Sequence, residues 1–275
     1  MLVPLTNAMP MQPLTPPTPT LTTRIGVCGA WLLLALFALA VSGCATPGPN
    51  HTYVASIAQN PVLDLHPDSP TVAVPTYLTA GNTLYGIAYD PFTDHLFLRV
   101  YPGNFIRVID RPARNIKRNF TVAGLPEGGG DLAIRSSDRH LFFAHPTLPA
   151  LVESTLYGQF VRTLTLESLT GPPAGVAYDQ KQDLLFILAS GEPAQLSTYD
   201  PKGKHLGCVT LNRSVSQSSL AYDSVATEFY LRMRDEPAIG VFNRQGHWLR
   251  SLPLPATDPM GDFIDVGARS LIRMF

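Results

Sequence analysis

Asp90, Asp179 and Asp223, each following a tyrosine and preceding a short polar stretch, are the first residues whose type and setting could do chemistry. Converging carboxylates could hold Ca²⁺, which takes roughly six to eight oxygen ligands. Spread along the chain among turn-forming residues, they suit a plainer task, accepting backbone N–H bonds inside their own turns. The seven histidines share no spacing; only His95 and His140 fall in phase, beside turns where solvation is expected. Cys28, Cys44 and Cys208 make neither a disulfide framework nor a zinc-type cluster, so no metal and no cofactor is expected. No nucleophile–base pair stands out. Arg99, His145, Arg232 and Arg273 are more informative, because each lies near the end of the same repeated segment. Gathered at one place, such groups would suit a carboxylate or phosphate ligand. The alternative is that each pairs with a neighbouring acid.

The segment that must position these residues returns about every 44 residues. It reads GIAYDPFTDHLFLRV from Gly86, DLAIRSSDRHLFFAH from Asp131, GVAYDQKQDLLFILA from Gly175 and SLAYDSVATEFYLRM from Ser219. A shorter copy, DFIDVGARSLIRMF, is aligned from Asp262. Each copy is two runs of aliphatic, aromatic and β-branched residues around a turn, the pattern of a hairpin. A period of ~40–50 residues is that of a propeller blade. The second half of each repeat is regular too, with Gly158, Gly203 and Gly246 in phase at a second turn and Arg111 to Asn115 departing from it. The expectation is an all-β, five-bladed β-propeller of four-stranded blades. Cys208, in the apolar run GCVTL, is expected in its core.

A ring must close, because an unpaired blade leaves open strand edges. Strand-like segments at 53–57, 62–65 and 71–74 precede the first full repeat, and the last copy stops short. The N-terminal strands are therefore expected to complete the last blade, two strands from each end of the chain. The face carrying the inter-blade crossings would collect the ends of the second strands (Arg99, His145, Arg232, Arg273). It would also collect Asn82, Glu127, the Gly128–Gly130 crossing, Asn212, Gln217 and Asp258.

Ahead of the repeats the composition changes. Residues 1–23 are rich in Pro and Thr, without apolar periodicity, and read as disordered or as an extension from a start codon placed too far upstream. Arg24 then leads into an apolar run from Ile25 to Val41, ending in Val41-Ser42-Gly43-Cys44. A positive residue, an apolar core and small residues make an export signal; a membrane anchor is the alternative. The tetrapeptide resembles the bacterial lipobox. That resemblance implies cleavage before Cys44, lipidation of its thiol and attachment to a membrane of the cell envelope. Ala45 after the cysteine points to the periplasmic face of the outer membrane, and residues 44–52 would form a tether before a propeller at 53–275.

The repeat, with G-[IV]-A-Y-D-P, then L-F, then V-x-D-x-x-G-K-x-L, resembles NHL and YVTN-type propeller repeats over roughly residues 84–275. That resemblance implies fold more than function, since one fold hosts many activities. A net charge of −1 gives no field for nucleic acid. Two functional classes remain. One is a lipid-anchored scaffold presenting a rigid disc to an envelope protein, peptide or glycan. The other is a propeller-type hydrolase or lyase acting on an envelope substrate.

Overall fold

The structure, a computed structural model, describes residues 47–57, 61–66, 69–255 and 261–270. Its regular elements there are all strands, twenty in chain order. The first three are β1 (Pro47–Ala55), β2 (Val62–His66) and β3 (Ser69–Val74). Blade 1 is β4 (Thr83–Asp90), β5 (His95–Tyr101), β6 (Phe105–Asp110) and β7 (Asn115–Thr121). Blade 2 is β8 (Leu132–Arg135), β9 (His140–Ala144), β10 (Ala150–Thr155) and β11 (Phe160–Thr165). Blade 3 is β12 (Pro173–Asp179), β13 (Leu184–Ala189), β14 (Gln195–Tyr199) and β15 (His205–Thr210). Blade 4 is β16 (Ala221–Asp223), β17 (Glu228–Arg232), β18 (Ala238–Asn243) and β19 (Trp248–Pro253). The closing blade adds β20 (Phe263–Ser270) to the first three strands, in the order β20-β1-β2-β3.

Closure by the N-terminal strands thus occurs, but three come from the N-terminal end and one from the C-terminal end, rather than two from each. β20 is one continuous strand paired with β1 from Ala55↔Phe263 to Pro47↔Ser270. β1 therefore begins inside the stretch expected as a tether. The repeat phase is corrected as well. Ile264 N donates to Ser219 as Val176 N donates to Asp131, each across 45 residues. The last copy therefore opens at Phe263, not Asp262.

The inner strands β4, β8, β12, β16 and β20 touch one another in cyclic order around the axis. Side chains alternate across each sheet, so each blade meets both neighbours with apolar faces. The result is five apolar clusters, one in each gap, rather than one central core. Near the axis the gaps narrow and the residues shrink. A Cβ on Gly86 would lie 2.6 Å from Leu132 Cδ2, and one on Gly175 would lie 2.8 Å from Leu220 N.

At the periphery the blades interlock through their outer turns. Glu167 N donates to Gly203 O at 2.9 Å and Asn212 N to Gly246 O at 3.1 Å, each linking one blade's outer strand to the next blade's turn. Gly203 combines φ +85° with a backbone approach so close that a Cβ would meet Thr165 O at 2.2 Å. In each repeat the outer strand opens with a bulge that leaves Lys117, Val161, Leu206 or Leu249 outside the ladder, every one exposed. Bulges of this kind twist an edge away from foreign strands. Cys208 lies on such an edge and is exposed, contrary to the core position expected for it.

Candidate functional site

The turn aspartates do what their setting suggested. Asp90 accepts from Phe92 N, Asp179 from Lys181 N and Asp223 from Val225 N, at 3.1, 3.0 and 2.7 Å. His140 departs from its expected solvated place. Its Nδ1 lies 2.7 Å from Glu153 and 3.3 Å from Asp138, a trio with the donor types of a cation site. Arg135 already occupies it, with Nη2 at 2.5 Å from Asp138, 2.6 Å from Glu153 and 3.2 Å from His140. Burial alone would raise the Glu153 carboxyl, but bonds from His140 and Arg162 and the charge of Arg135 hold it below its ordinary range. His95 is half-buried beside Asp110, and burial lowers its pKa.

The residues expected on the crossing face fall into three groups. Arg99 and His145 meet between blades 1 and 2, but as ties rather than ligands. Arg99 is fully buried. Its guanidinium donates to Asn104 Oδ1 at 3.0 Å and to the carbonyls of Pro126, Gly130 and Ala144 at 3.0, 3.4 and 3.5 Å. Burial lowers its pKa to about 10. His145 Nδ1 accepts from Thr147 N and Leu148 N at 3.2 and 3.0 Å, and burial and the nearby Arg99 lower its pKa. Arg232 donates to the carbonyls of Met233, Glu236 and Ala238. Gln217 clamps Gly191 N at 3.0 Å, joining blade 4's entry to a blade 3 turn. Asn82 accepts from Thr79 within one loop, at 3.3 Å from its N–H and 2.8 Å from its hydroxyl. Of the described residues in this set, Glu127, Gly129 and Asn212 stand exposed, with Asn212 Oδ1 accepting from Trp248 N at 2.8 Å. The neighbouring crossing is packed, with Gly130 against Ala144 O. Cys44, Asp258 and Arg273 lie outside the described residues.

The polar centre of the molecule is the axis, which sequence reasoning missed. Inner-strand edges turn unpaired N–H groups inward, and buried N–H groups need acceptors. Asp131, with no exposed surface, reaches across the axis. Its Oδ2 accepts from Val176 N at 3.1 Å and from Leu220 N, two blades away, at 2.9 Å. Ser219 Oγ accepts from Ile264 N at 3.0 Å and can donate to Asp131 Oδ1 at 3.2 Å. Asp265 accepts from Tyr89 N at 2.5 Å and Val266 N at 2.8 Å. Its side chain is half-buried and keeps some exposed surface. Burial raises both carboxyls, Asp265 to about 7 and Asp131 well above the carboxylate range, the latter also through the charge of Asp265. The signal lay in departures from the repeat. Asp131 and Ser219 stand where Gly86 and Gly175 stand, and Asp265 stands where the other copies have Ala88, Ala133, Ala177 and Ala221.

No protein-family model matches the chain, and no curated protein matches it. Solved structures do. A chain of a nidogen/laminin complex is 10% identical, with 82% of this chain and 100% of that chain covered and a TM-score of 0.57. Myxococcus xanthus glutaminyl cyclase is 15% identical over 66% of this chain and 69% of that one, TM-score 0.46. A Bacteroides caccae protein of unknown function is 16% identical over 77% and 74%, TM-score 0.46. At these identities the likeness is one of fold.

Proposed function

We propose that the protein is a cell-envelope lipoprotein, anchored through Cys44, whose propeller is a rigid scaffold for a ligand or partner. The carrying observation is the filled axis. Asp131 and Ser219 turn their polar atoms onto backbone N–H groups of three blades, so these groups hold the disc rather than face a substrate. Arg99 and Arg232 likewise spend their donors on carbonyls. A disc held at its centre keeps its crossing face in a fixed shape, which lowers the ordering cost of binding. That face offers Tyr101 and Leu148 exposed, with Glu127 as a nearby charge. The periplasmic face of the outer membrane is the location this reading assigns, and an envelope protein, peptide or glycan is the partner class. Lipid chains would hold the disc at the membrane at ~0.8 kcal/mol per buried CH₂.

The test has two arms. Metabolic labelling with a palmitate analogue is expected to mark the wild type and not a Cys44→Ser variant; equal labelling overturns the anchor. Photo-crosslinkers placed at Tyr101 and Leu148 are expected to capture the same envelope component, while one at Cys208 does not. Different or no adducts from the two face positions overturn the scaffold.

A further inference from the structure

Among the described residues, an arginine fills four of the five gaps between blades at the end where the inner-hairpin turns lie. Between the closing blade and blade 1, Arg111 holds Asp94 through two bonds of 2.6 Å and approaches Asp64 of the closing blade at 3.8 Å. Between blades 1 and 2, Arg139 Nη1 meets Asp90 Oδ2 at 2.7 Å and lies over the Phe92 ring. Between blades 2 and 3, Arg135 lies over Phe142 and Tyr178. Between blades 3 and 4, Arg244 Nη1 stands 3.7 Å from Asp179 Oδ2 and lies over Phe186 and Tyr222. In two of these gaps the arrangement is the same. One oxygen of the turn aspartate accepts from its own turn's backbone, and the other faces an arginine of the next blade, sharing it with Thr93 Oγ1 in the case of Asp90.

Among the described residues, the fifth gap, between blade 4 and the closing blade, has the aspartate without the arginine. Asp223 Oδ1 accepts from Val225 N and Ala226 N at 2.7 and 3.1 Å, as its counterparts do. Among the described residues its Oδ2 meets the neutral amide of Asn50 and no cation. The inner strand here carries Val266 where the other inner strands carry Tyr89, Ile134, Tyr178 and Tyr222, so bulk is missing relative to three of the four. What remains is a cleft of about 450 Å³ lined by Asn50, Leu65, His66, Asp223, Tyr230 and Leu252 among others, with Glu228 and Arg250 at its edge. Such a volume falls in the lower part of the range for ligand sites, about 300–1,000 Å³. Arg250 does not fill the vacancy, because Glu228 of its own blade holds both its terminal nitrogens, at 2.8 and 2.7 Å. Among the described residues, then, no guanidinium stands against Asp223.

We propose that this cleft is a recognition site for an arginine side chain of a peptide or protein segment. The guanidinium would stand against Asp223 as Arg139 stands against Asp90, and the methylene stem would lie along Leu65, Tyr230 and Leu252. Arginine suits the place because its planar fork donates to a carboxylate while its stem packs on apolar surface. The proposal rests on the scaffold reading and adds a site and a ligand chemistry to it, independently of the anchor and of the crossing face.

The test titrates the full-length protein with N-acetyl-argininamide, N-acetyl-lysinamide and the neutral isostere N-acetyl-citrullinamide, observed by NMR. Argininamide is expected to bind at least tenfold more tightly than citrullinamide, and Asp223→Asn to abolish the difference. Because that change also touches a turn, Asn50→Arg provides a second readout. An arginine supplied from within should raise the melting temperature and block argininamide. Equal binding of argininamide and citrullinamide, or of argininamide and lysinamide, overturns the proposal. So do no binding at all and binding that Asn50→Arg leaves intact. None of these outcomes touches the scaffold reading, which stands or falls on the crosslinks from the crossing face.

Discussion

Asp131 and Asp265 hold the axis with acids whose folded pKa values lie above their unfolded ones. The folded state therefore keeps protons that the unfolded state has released, and stability falls as pH rises between the two values. For Asp265 the window runs from the ordinary carboxylate range up to about 7. Within it each such group contributes a slope approaching about 1.4 kcal/mol per pH unit. Denaturant unfolding from pH 4 to 8 is expected to show greatest stability at the acid end, and Asp265→Asn to flatten the curve; a wild type that gains stability towards pH 7 contradicts this. Arg99 makes a different prediction. Arg99→Ala would leave Asn104 and the carbonyls of Pro126, Gly130 and Ala144 short of their donor. Each stranded buried group costs about 1–3 kcal/mol. A drop of several kcal/mol in unfolding free energy is expected, with the crossing at 126–130 becoming protease-sensitive; a loss below about 0.5 kcal/mol, the range of a neutral surface change, would contradict it.

At the scale of elements, the outer turns show why a glycine recurs there. Gly81 and Gly203 share nearly the same φ, +86° and +85°, but a Cβ on Gly81 meets nothing within 4 Å while one on Gly203 meets Thr165 O at 2.2 Å. Gly81→Ala should cost only the left-handed backbone penalty, about 1–2 kcal/mol. Gly203→Ala should cost clearly more, because the backbone of blade 2 must move away from blade 3. Thermal denaturation of the two variants checks this, and equal losses would mean the close approach relaxes freely. The bulges on the outer strands belong to the same scale. They leave apolar Val161, Leu206 and Leu249 in water yet keep those edges from pairing with another chain.

For the whole molecule, stability depends on the two ends of the chain meeting. β1 lies between β20 and β2, and its Tyr53, Val54 and Ala55 have no exposed surface. A chain beginning at Thr76 would strip three strands from β20 and uncover the apolar faces of blades 4 and 1. Several large side chains at ~1.5–3 kcal/mol each approach the ~5–15 kcal/mol that holds a typical domain. It is expected to aggregate or to melt far below the full-length protein. Because β1 starts at Pro47, a chain beginning at Tyr53 should also melt lower, since Asn50, His51 and Thr52 lose their pairing with Ala268, Gly267 and Val266. Unchanged melting on removal of residues 1–52 would show that only the later half of β1 matters.

Sequence alone determined what local chemistry encodes. The hairpins, their period and the five blades are set by residues next to one another in the chain. The turn aspartates were legible for the same reason, since the bond from Val225 N to Asp223 spans two residues. The expectation of an export signal and of a lipidated Cys44 rests on local sequence as well. Tertiary structure decided everything that depends on which strands become neighbours. Cys208 and its apolar flanks look like core, but an outermost strand alternates between half-buried and exposed, a distinction composition does not carry. Arg99 looked like a ligand group because the carbonyls that consume its donors lie 27 to 45 residues away. Asp131 looked like a variation on a glycine until the ring brought Leu220, 89 residues on, to its carboxylate. The cleft beside Asp223 belongs to the same class: a vacancy between blades is a difference among gaps, and the gaps exist only once the ring has closed.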